Sequence, residues 1–368
     1  MIPTSMTSLS VIIPVYNRAH LIGETLLSLL NQTLPADEII VVDDGSIDDS
    51  VEATRAVFAE WERQGSKKVK TPELKILFQK NKGPAAARNA GFKASIGKFV
   101  HFFDSDDLAA PNKHEVQVLA LEKSGADIAY APWVKGHIAN GEFIPENHVL
   151  QQKGLPKVKN NDLTRVLLTN WSIVPHACLF RRSIVEKSGG FPEHLFAGED
   201  QLMFLNCLLV GAKVVHSPGT LELYRTGNPD KITAIGEAQR LYLTNLAKCL
   251  VDIDMACQKN TINARAWFGF RRRVWEAIDD LRIVGIDNVD LTTSLKQILG
   301  TSMHPALYQI HRFFERKWLG LKVRITGGRT LSSACSGPLT ITQKLIIEEM
   351  GLKIVRKKSG GSYKVVAS

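Results

Sequence analysis

The sequence predicts an α/β fold: a mostly parallel central sheet with helices on both faces, followed by a mainly helical C-terminal extension. Three observations lead to this prediction. Apolar runs of strand character begin near residues 9, 38, 74 and 98 and alternate with segments of helical periodicity. Each run ends in a loop rich in Asp, Asn or Gly, and such loops meet at one edge of a parallel sheet. From about residue 237 the alternation stops and helical patterns take over.

Length and charge set the first limits on function. The 368 residues suffice for one large domain and a smaller one, and we place these at residues 1–230 and 231–368. Lysine and arginine exceed aspartate and glutamate by 46 − 37 = 9. This excess favours acidic partners such as phosphates, nucleotides, nucleic acid or anionic lipids, without choosing among them. No recognisable nucleic-acid module is present, so we expect no nucleic-acid partner.

Cysteine usage and hydropathy bear on the location. The five cysteines are scattered and contain no CxxC pair, which argues against a disulfide framework or a zinc site. No stretch approaches the roughly 20 apolar residues of a membrane helix, and no secretory signal is evident at the N-terminus. The predicted location is therefore the cytoplasm, and any membrane association is expected to be peripheral, at the inner face.

The first three strands share one design. Each is a β-branched, apolar run that ends in a polar turn and leads into a helix. Pro14 and Asn17 end the first run, Asp43 and Asp44 follow the second, and a Gly83-Pro84 turn opens the helix after the third. The predicted strands cover residues 9–17, 38–42 and 74–79.

The fourth strand runs from Lys98 and ends in three carboxylates, Asp104, Asp106 and Asp107. Like charges this close raise the cost of ionising all of them, so they need a cation or a solvated loop. One interpretation is a solvated turn that caps the next helix. The other is a divalent cation held by oxygen ligands at the end of a strand.

The next hundred residues are predicted less regularly. Glu199 and Asp200 open an apolar helix, which is also what a helix dipole favours without any function. A stretch of about thirty residues after Val134 has no clear pattern and is predicted to be irregular. The remaining predictions are helices at 112–124 and 161–170, a helical turn at 183–188, strands at 127–134 and near 180, and two short strands within 212–224.

The C-terminal part is predicted to be helical and basic from Glu237 to about Gly320. Residues 352–368 are basic and either β-like or disordered. Arginines interleave with aromatic residues in this part, as at Trp267, Phe268, Phe270 and Trp275, and again around Phe313, Phe314 and Trp318. We favour a core on one face and solvated charge on the other. Peripheral binding to an anionic membrane is the alternative interpretation.

Five motifs together resemble the family 2 glycosyltransferases of the GT-A fold. Each motif is weak alone, but their order and spacing are specific, and the resemblance covers roughly the first 225 residues. The motifs are Ser10–Asn17, Ile39–Ser46, Gly83–Asn89, Phe103–Asp107, and Gly190-Phe191-Pro192 with Gly198-Glu199-Asp200.

The resemblance implies a nucleotide-sugar donor and a metal cofactor. Asp106 would bind Mn²⁺ or Mg²⁺, which bridges the diphosphate, while Asp104 points towards the ribose and Arg88 lies near the base or the diphosphate. The donor-binding residues implied by the resemblance are Pro14, Val15, Tyr16, Asp44, Gly83, Arg88, Asp104 and Asp106.

The resemblance also implies a catalytic base, Asp200, with Glu199, Trp171 and His176 at the acceptor or in positioning roles. An inverting transfer needs one carboxylate to accept the proton of the attacking hydroxyl, and Asp200 suits that task. The expected function is metal-dependent, inverting transfer from a nucleotide sugar, with UDP-sugars favoured, to a glycan or lipid-linked acceptor in surface polysaccharide synthesis. The alternative is a non-catalytic scaffold that binds a partner or a membrane through its basic C-terminal half.

Overall fold

The computed structural model describes residues 8–65, 70–145, 151–153, 163–169, 174–226, 237–260, 264–300, 336–357 and 363–365. Its strands in chain order are β1 (Leu9–Val15), β2 (Glu38–Asp43), β3 (Glu73–Phe78), β4 (Phe99–Phe102), β5 (Leu108–Ala109), β6 (Ile128–Tyr130), β7 (Trp133–Ala139), β8 (Glu142–Pro145), β9 (Gln151–Lys153), β10 (Cys178–Arg181), β11 (Val214–His216), β12 (Glu222–Arg225), β13 (Ser336–Pro338), β14 (Lys353–Lys357) and β15 (Tyr363–Val365). Its helices are α1 (Ile22–Leu30), α2 (Ser50–Arg63), α3 (Pro84–Ala94), α4 (Lys113–Ser124), α5 (Leu163–Thr169), α6 (Arg182–Ser188), α7 (Glu199–Leu209), α8 (Glu237–Gln258), α9 (Ala264–Ile283), α10 (Val289–Leu299) and α11 (Ile341–Glu349), and Pro175–Ala177 form a 3₁₀ turn.

The central sheet has seven strands in the order β11-β6-β10-β4-β1-β2-β3. Strands β4, β1, β2 and β3 are parallel, whereas β10 runs antiparallel to both β4 and β6. The predicted mixed α/β architecture with a mostly parallel sheet is therefore confirmed. The carboxyl ends of β1, β2 and β4 lie side by side, which brings their polar loops to one edge.

Strand β1 is buried on both faces, as its run of apolar residues predicts. Val11 and Ile13 pack with α1 residues such as Leu26 on one side, and Ile12 packs into a second core on the other. Helix α3 lies close against that second face, because a Cβ added at Gly91 would stand 2.4 Å from Ile12 Cγ2. The strand ends that carry the polar loops are thus held between two rigid layers.

In its described residues, 135–145 and 151–153, the segment after Val134 forms strands, so the prediction of an irregular stretch was wrong there; the rest of the stretch up to residue 162 lies outside the described residues. Strands β7 and β8 form an antiparallel hairpin. Its turn is Asn140-Gly141, with φ of 51° and 73°, and two left-handed residues match the twist of a hairpin. The Asn-Gly pair was a readable hairpin signal, because few other residue pairs adopt this turn at low cost.

The C-terminal part combines helices with strands that join a second sheet, the one that contains the β7–β8 hairpin. Strand β13 pairs with β9, and after helix α11 strand β14 pairs in parallel with β8 and antiparallel with β15. The described residues 353–357 and 363–365 are therefore β-structured, which is one of the two interpretations of residues 352–368. The strand order in the second sheet is β13-β9-β7-β8-β14-β15, and β12 pairs with both β7 and β5. The division at residue 230 stays a prediction.

Helix α9 has the buried apolar face that we favoured for its aromatic residues, but Arg271, Arg272 and Arg273 are only partly exposed and do not form a solvated face. Phe270 and Val274 are buried in the core that α9 shares with α5, α7, α8 and α10, while Phe268 is 43% exposed. Phe313, Phe314 and Trp318 lie outside the described residues. Across the described ranges, every helix is too short or too polar to span a bilayer.

Candidate active site

A cleft of about 1070 Å³ opens at the carboxyl edge of the central sheet. It brings together the loops after β1, β2 and β4, the start of α3 and the start of α7. The predicted residues that line it are Pro14, Val15, Tyr16, Asp44, Gly83, Arg88, Asp104, Asp106, Glu199 and Asp200. His176 is fully buried next to Asp104, and Trp171 lies outside the described residues.

Asp44 shapes the wall on the β2 side. Its carboxylate accepts hydrogen bonds from the main-chain N–H groups of Lys82 and Gly83, each at 2.8 Å, and from Gln79 Nε2 at 2.7 Å. Gly83 has φ of +89°, and a Cβ there would stand 2.8 Å from the Phe196 ring. Asp44 therefore orders the turn into α3 even without a nucleotide.

The loop after β1 is locked to the loop after β2. Asn17 adopts φ of 53°, its N–H donates to Ser46 Oγ at 3.0 Å, and its side-chain oxygen accepts from Ile47 N at 2.9 Å. These bonds leave the neighbouring Tyr16 ring 45% exposed at the cleft. A ring held in this way offers a flat surface for stacking on a base.

Arg88 joins the two acidic motifs of the cleft. Its Nη2 donates to Asp104 Oδ1 at 2.7 Å and its Nη1 to Glu199 Oε1 at 2.9 Å. Burial lowers the pKa of Arg88, but the charges of Asp104 and Glu199 more than compensate, so its pKa lies above the ordinary value. The contact with Glu199 was not predicted, and no local pattern connects α3 with α7.

Asp107 and His176 form a buried pair behind Asp104. His176 Nδ1 lies 3.0 Å from Asp107 Oδ2 and 3.1 Å from Asp104 Oδ2. Burial lowers the pKa of His176, but the two carboxylates raise it to about 9. Burial also raises the pKa of Asp107, to about 8, although His176 opposes this change. This geometry attaches His176 to Asp104 and Asp107, and its predicted acceptor role stays a prediction.

Asp107 is neither a helix cap nor part of a solvated turn. Asn112 occupies the N-cap position of α4, and Asp107 is 1% exposed. Its Oδ1 instead accepts a hydrogen bond from the main-chain N–H of Arg225 at 2.8 Å. This bond connects β12 to the acidic loop, residues 104–107 after β4. The capping interpretation of this residue was wrong.

The acidic loop and His176 together offer ligand atoms that suit a divalent cation. Ligand atoms of Asp104, Asp107 and His176 lie within 4.8 Å of one another. Carboxylate oxygens suit Mg²⁺ and Mn²⁺, and an imidazole nitrogen is accepted by transition metals. Asp106, the predicted ligand, is not part of this cluster but lines the cleft beside it. The residues present therefore fit a metal ion.

Asp200 stands in the first turn of α7, next to Glu199. Burial and the negative charge of Glu199 raise its pKa to about 7, whereas Arg88 lowers it. A carboxylate with a pKa near 7 is suited to accept a proton in neutral solution. The turn before it is closely packed, because Cys249 Sγ–H on α8 donates to Gly198 O at 3.2 Å.

The C-terminal helices contribute part of the cleft wall, which the sequence analysis missed. Ala238, Tyr242 and Leu246 come from α8 and Arg273 from α9. Helical periodicity shows which face is apolar, but it does not show that two such helices pack against the α7 turn. The hairpin strand β7 adds Trp133 and Lys135.

The fold and the cleft define the class of this protein as an α/β protein of the GT-A type. Its structure is similar to that of S. aureus TarS in complex with UDP-GlcNAc, with a TM-score of 0.54 and 21% identity, over 80% of each chain. Residues 10–189 match the Glycosyl transferase family 2 profile. This match covers just under half of the chain, and over these residues the sequence is similar to that family.

Curated relatives agree with this similarity. An uncharacterized glycosyltransferase of Rickettsia conorii is 35% identical over 204 residues, which are 54% of this chain and 30% of the relative. The uncharacterized glycosyltransferase YibD of Escherichia coli is 32% identical over 189 residues, 50% and 51% of the two chains. The poly(ribitol-phosphate) beta-glucosyltransferase of Bacillus spizizenii is 31% identical over 209 residues, 56% and 30% of the chains. The matched region spans about a third to a half of these relatives.

Proposed function

We propose that this chain is a metal-dependent, inverting glycosyltransferase. It moves a sugar from a nucleotide-diphosphate sugar to a hydroxyl group of a glycan or lipid-linked acceptor. The observation that carries the proposal is the pair of hydrogen bonds from Arg88 to Asp104 and Glu199. They hold the acidic loop and the start of α7 at the same cleft. The carboxylates of the acidic loop can therefore bind the donor, while Asp200 accepts the proton of the acceptor.

Asp200 is the general base in this proposal. It accepts the proton of the acceptor hydroxyl as the oxygen forms a bond to the anomeric carbon of the donor sugar. The bond from that carbon to the diphosphate breaks at the same time, and its electron pair leaves with the nucleoside diphosphate. Attack from the face opposite the leaving group inverts the configuration. Glu199, fixed by Arg88, holds the first turn of α7 in position.

Asp104 and Asp106 serve the donor side. A divalent cation bound by these carboxylates, with Asp107 and His176 as further ligands, would offset the charge of the leaving diphosphate. Tyr16 offers its exposed ring to the base, and Asp44 keeps the Gly83 turn in place beside it. These roles agree with the resemblance on which the donor residues were predicted.

UDP-sugars are the first donors to test. The solved TarS structure contains UDP-GlcNAc, and the B. spizizenii relative is named as a glucosyltransferase of poly(ribitol-phosphate). A surface glycan or a lipid-linked precursor is the corresponding acceptor class. A cytoplasmic enzyme at the inner membrane face, held there by the basic C-terminal region, would fit such an acceptor.

The test is a donor panel. UDP-, GDP- and dTDP-sugars are titrated by calorimetry with Mn²⁺ or Mg²⁺ and again with a chelator, and nucleotide release is followed with and without candidate acceptors. The proposal expects sugars of one nucleotide class to bind in a metal-dependent way. Without an acceptor, slow transfer of the sugar to water should release the nucleotide. Absence of binding and of release with every donor would contradict it and favour the scaffold alternative.

A further inference from the structure

Arg273 is a cation that the C-terminal helices bring into the cleft. It lies on α9 and lines the cleft together with Tyr242 of α8. The acidic loop and its partner Arg88 belong to the donor side. Arg273 is therefore a further positive charge in the cleft, besides Arg18, Arg88 and Lys135, and it comes from a part of the chain that the family motifs do not cover.

The guanidinium of Arg273 has little local compensation. Within the described part of the chain its hydrogen-bond acceptor is the carbonyl oxygen of Leu167, 2.8 Å from Nη1, and no carboxylate lies within 4 Å. Burial lowers its pKa, and the negative charge of Glu276, one turn further along α9, only partly offsets this change. Arg88 differs, because two carboxylates neutralise it. A partly buried arginine without a carboxylate is costly and is well suited to an anion that arrives from outside.

The neighbouring Arg272 separates a structural role from a binding role. Its Nη2 donates to the carbonyl oxygen of Thr169 at 3.3 Å, so both arginines bind the C-terminal carbonyls of α5. Capping of α5 is therefore a role that the two share. Arg273 differs in that it also lines the cleft, whereas Arg272 does not.

Arg273 lies on the acceptor side of the cleft. Burial and the charges of Asp200 and Glu199 raise the pKa of Tyr242, while Arg273 lowers it. Cys249 is subject to the same opposing charges of Asp200 and Arg273. The packing gives the same location, because Cys249 Sγ–H of α8 donates to Gly198 O at 3.2 Å in the turn before Asp200, and Tyr242 of α8 and Arg273 of α9 line the cleft with Asp200. The base candidate and the arginine are thus both found at the α7–α8–α9 end of the cleft.

We infer that Arg273 binds an anionic group of the acceptor, a phosphate or a carboxylate near the hydroxyl that attacks. This inference rests on the proposed function and specifies its acceptor class. The planar guanidinium presents paired N–H groups that match such oxyanions, which lysine does not reproduce. Tyr242 of the neighbouring helix α8 lines the same cleft, and its hydroxyl group is a second hydrogen-bond donor type in this wall. A neutral acceptor would leave the arginine charge without compensation in the closed complex.

The experiment measures anion binding directly. Wild-type protein is first saturated with the nucleoside diphosphate that binds best, so that the donor phosphate site is filled. Inorganic phosphate and, separately, acetate are then titrated at constant ionic strength while the melting temperature is followed. Arg273→Gln is compared with two controls. Arg272→Gln loses the equivalent contact to α5, and Arg273→Lys keeps the charge but not the paired N–H groups of the guanidinium.

The expected result is a rise in melting temperature with anion in wild type and in Arg272→Gln. The apparent affinity for the anion falls about tenfold or more in Arg273→Gln and less in Arg273→Lys. The stronger of the phosphate and acetate responses identifies the kind of acceptor group. Equal responses in Arg273→Gln and wild type, or no response in wild type, would overturn the inference.

Nucleotide binding provides the independent control. Arg273→Gln is expected to bind the nucleoside diphosphate as wild type does, and a marked loss would assign Arg273 to the donor and overturn the inference. Failure of every nucleotide to bind wild type would instead contradict the proposed function. In that case the difference in anion response between wild type and Arg273→Gln, measured without nucleotide, reports on Arg273.

Discussion

Asp104 and Glu199 share one guanidinium group, that of Arg88, at 2.7 and 2.9 Å. The first carboxylate follows β4 and the second begins α7, so a single buried cation holds the two sides of the cleft at a fixed separation. Arg88 also lies over the Phe191 ring at 5.2 Å, which limits its movement. Removal of this cation would leave two carboxylates in a poorly solvated cleft without their partner.

Substitution of Arg88 by lysine should therefore abolish most of the activity while the protein still folds. Lysine keeps the charge but not the two-armed contact, and the loss of one charge-assisted bond at a buried acid costs about 3 kcal/mol, or ~100-fold in kcat/KM. Steady-state kinetics on the best donor would measure this. Arg182→Lys is the matched control, because Arg182 binds Gly97 O and Ser95 Oγ outside the cleft. Equal losses in both variants would contradict the assignment.

Substitution of Asp200 by asparagine should separate binding from transfer. The amide keeps the size of the side chain but accepts no proton, so we expect nucleotide affinity close to that of wild type and a transfer rate lower by ~10²–10⁴-fold. Calorimetry and a transfer assay would measure the two quantities. Asp252→Asn, at an acid that pairs with His194 outside the cleft, should change neither. A parallel loss of donor affinity in Asp200→Asn would assign this residue to the donor.

The pH dependence of transfer should follow Asp200. Burial and Glu199 raise its pKa to about 7, and the base acts only when it is deprotonated. The rate should therefore be constant above about pH 7 and fall about tenfold per pH unit below it. Profiles of kcat/KM against pH should show this acidic decline in wild type. The residual activity of Asp200→Asn should not decline in this way. An unchanged decline in that variant would mean that another group titrates.

Asp106 and Asp107 should respond differently to substitution although they are neighbours. Asp106→Ala is expected to weaken metal-dependent nucleotide binding by about tenfold or more, with little change in melting temperature. Asp107→Ala should lower stability by about 1–3 kcal/mol, since it removes the acceptor of the Arg225 N–H and leaves the His176 ring with Asp104 alone. Nucleotide titrations with Mn²⁺ and with a chelator, together with thermal melts, separate the two effects. A stable Asp107→Ala protein would contradict the structural role.

The short-range part of the site could be predicted from sequence. Each acidic turn follows a strand of the predicted parallel sheet, so local patterns place these turns at one edge of the sheet. The Glu199-Asp200 pair opens an apolar helix, and only the family resemblance assigned it to the same site. The contact from Arg88 to Glu199 could not be predicted, because it depends on how α3 and α7 pack. The same holds for Arg273, which belongs to a helix whose periodicity shows only a buried face and a charged one. The β7–β8 hairpin was readable in its Asn-Gly turn and was missed.

His101 and His114 should make the fold sensitive to acid. The two rings are buried in contact, with His101 Nδ1 3.0 Å from His114 Nε2, and beside them is the buried ion pair of Lys113 and Glu222. Burial, together with the Lys113 charge, lowers the pKa of His101 well below its ordinary value and that of His114 to about 3. The folded state therefore keeps both rings neutral where the unfolded chain binds protons.

This difference in proton binding sets the direction of the effect. Above about pH 6.5 both states are neutral at these rings and stability is unaffected; below it the unfolded chain gains protons that the folded state does not, so the free energy of unfolding falls. Each ring contributes up to about 1.4 kcal/mol per pH unit. Chemical denaturation from pH 7 towards pH 4 would measure how the free energy of unfolding changes with pH. His114→Gln should reduce this slope by the equivalent of about one proton. His20→Gln, at an exposed position, should leave it unchanged. An identical slope in wild type and His114→Gln would show that this ring is not a source of the acid sensitivity.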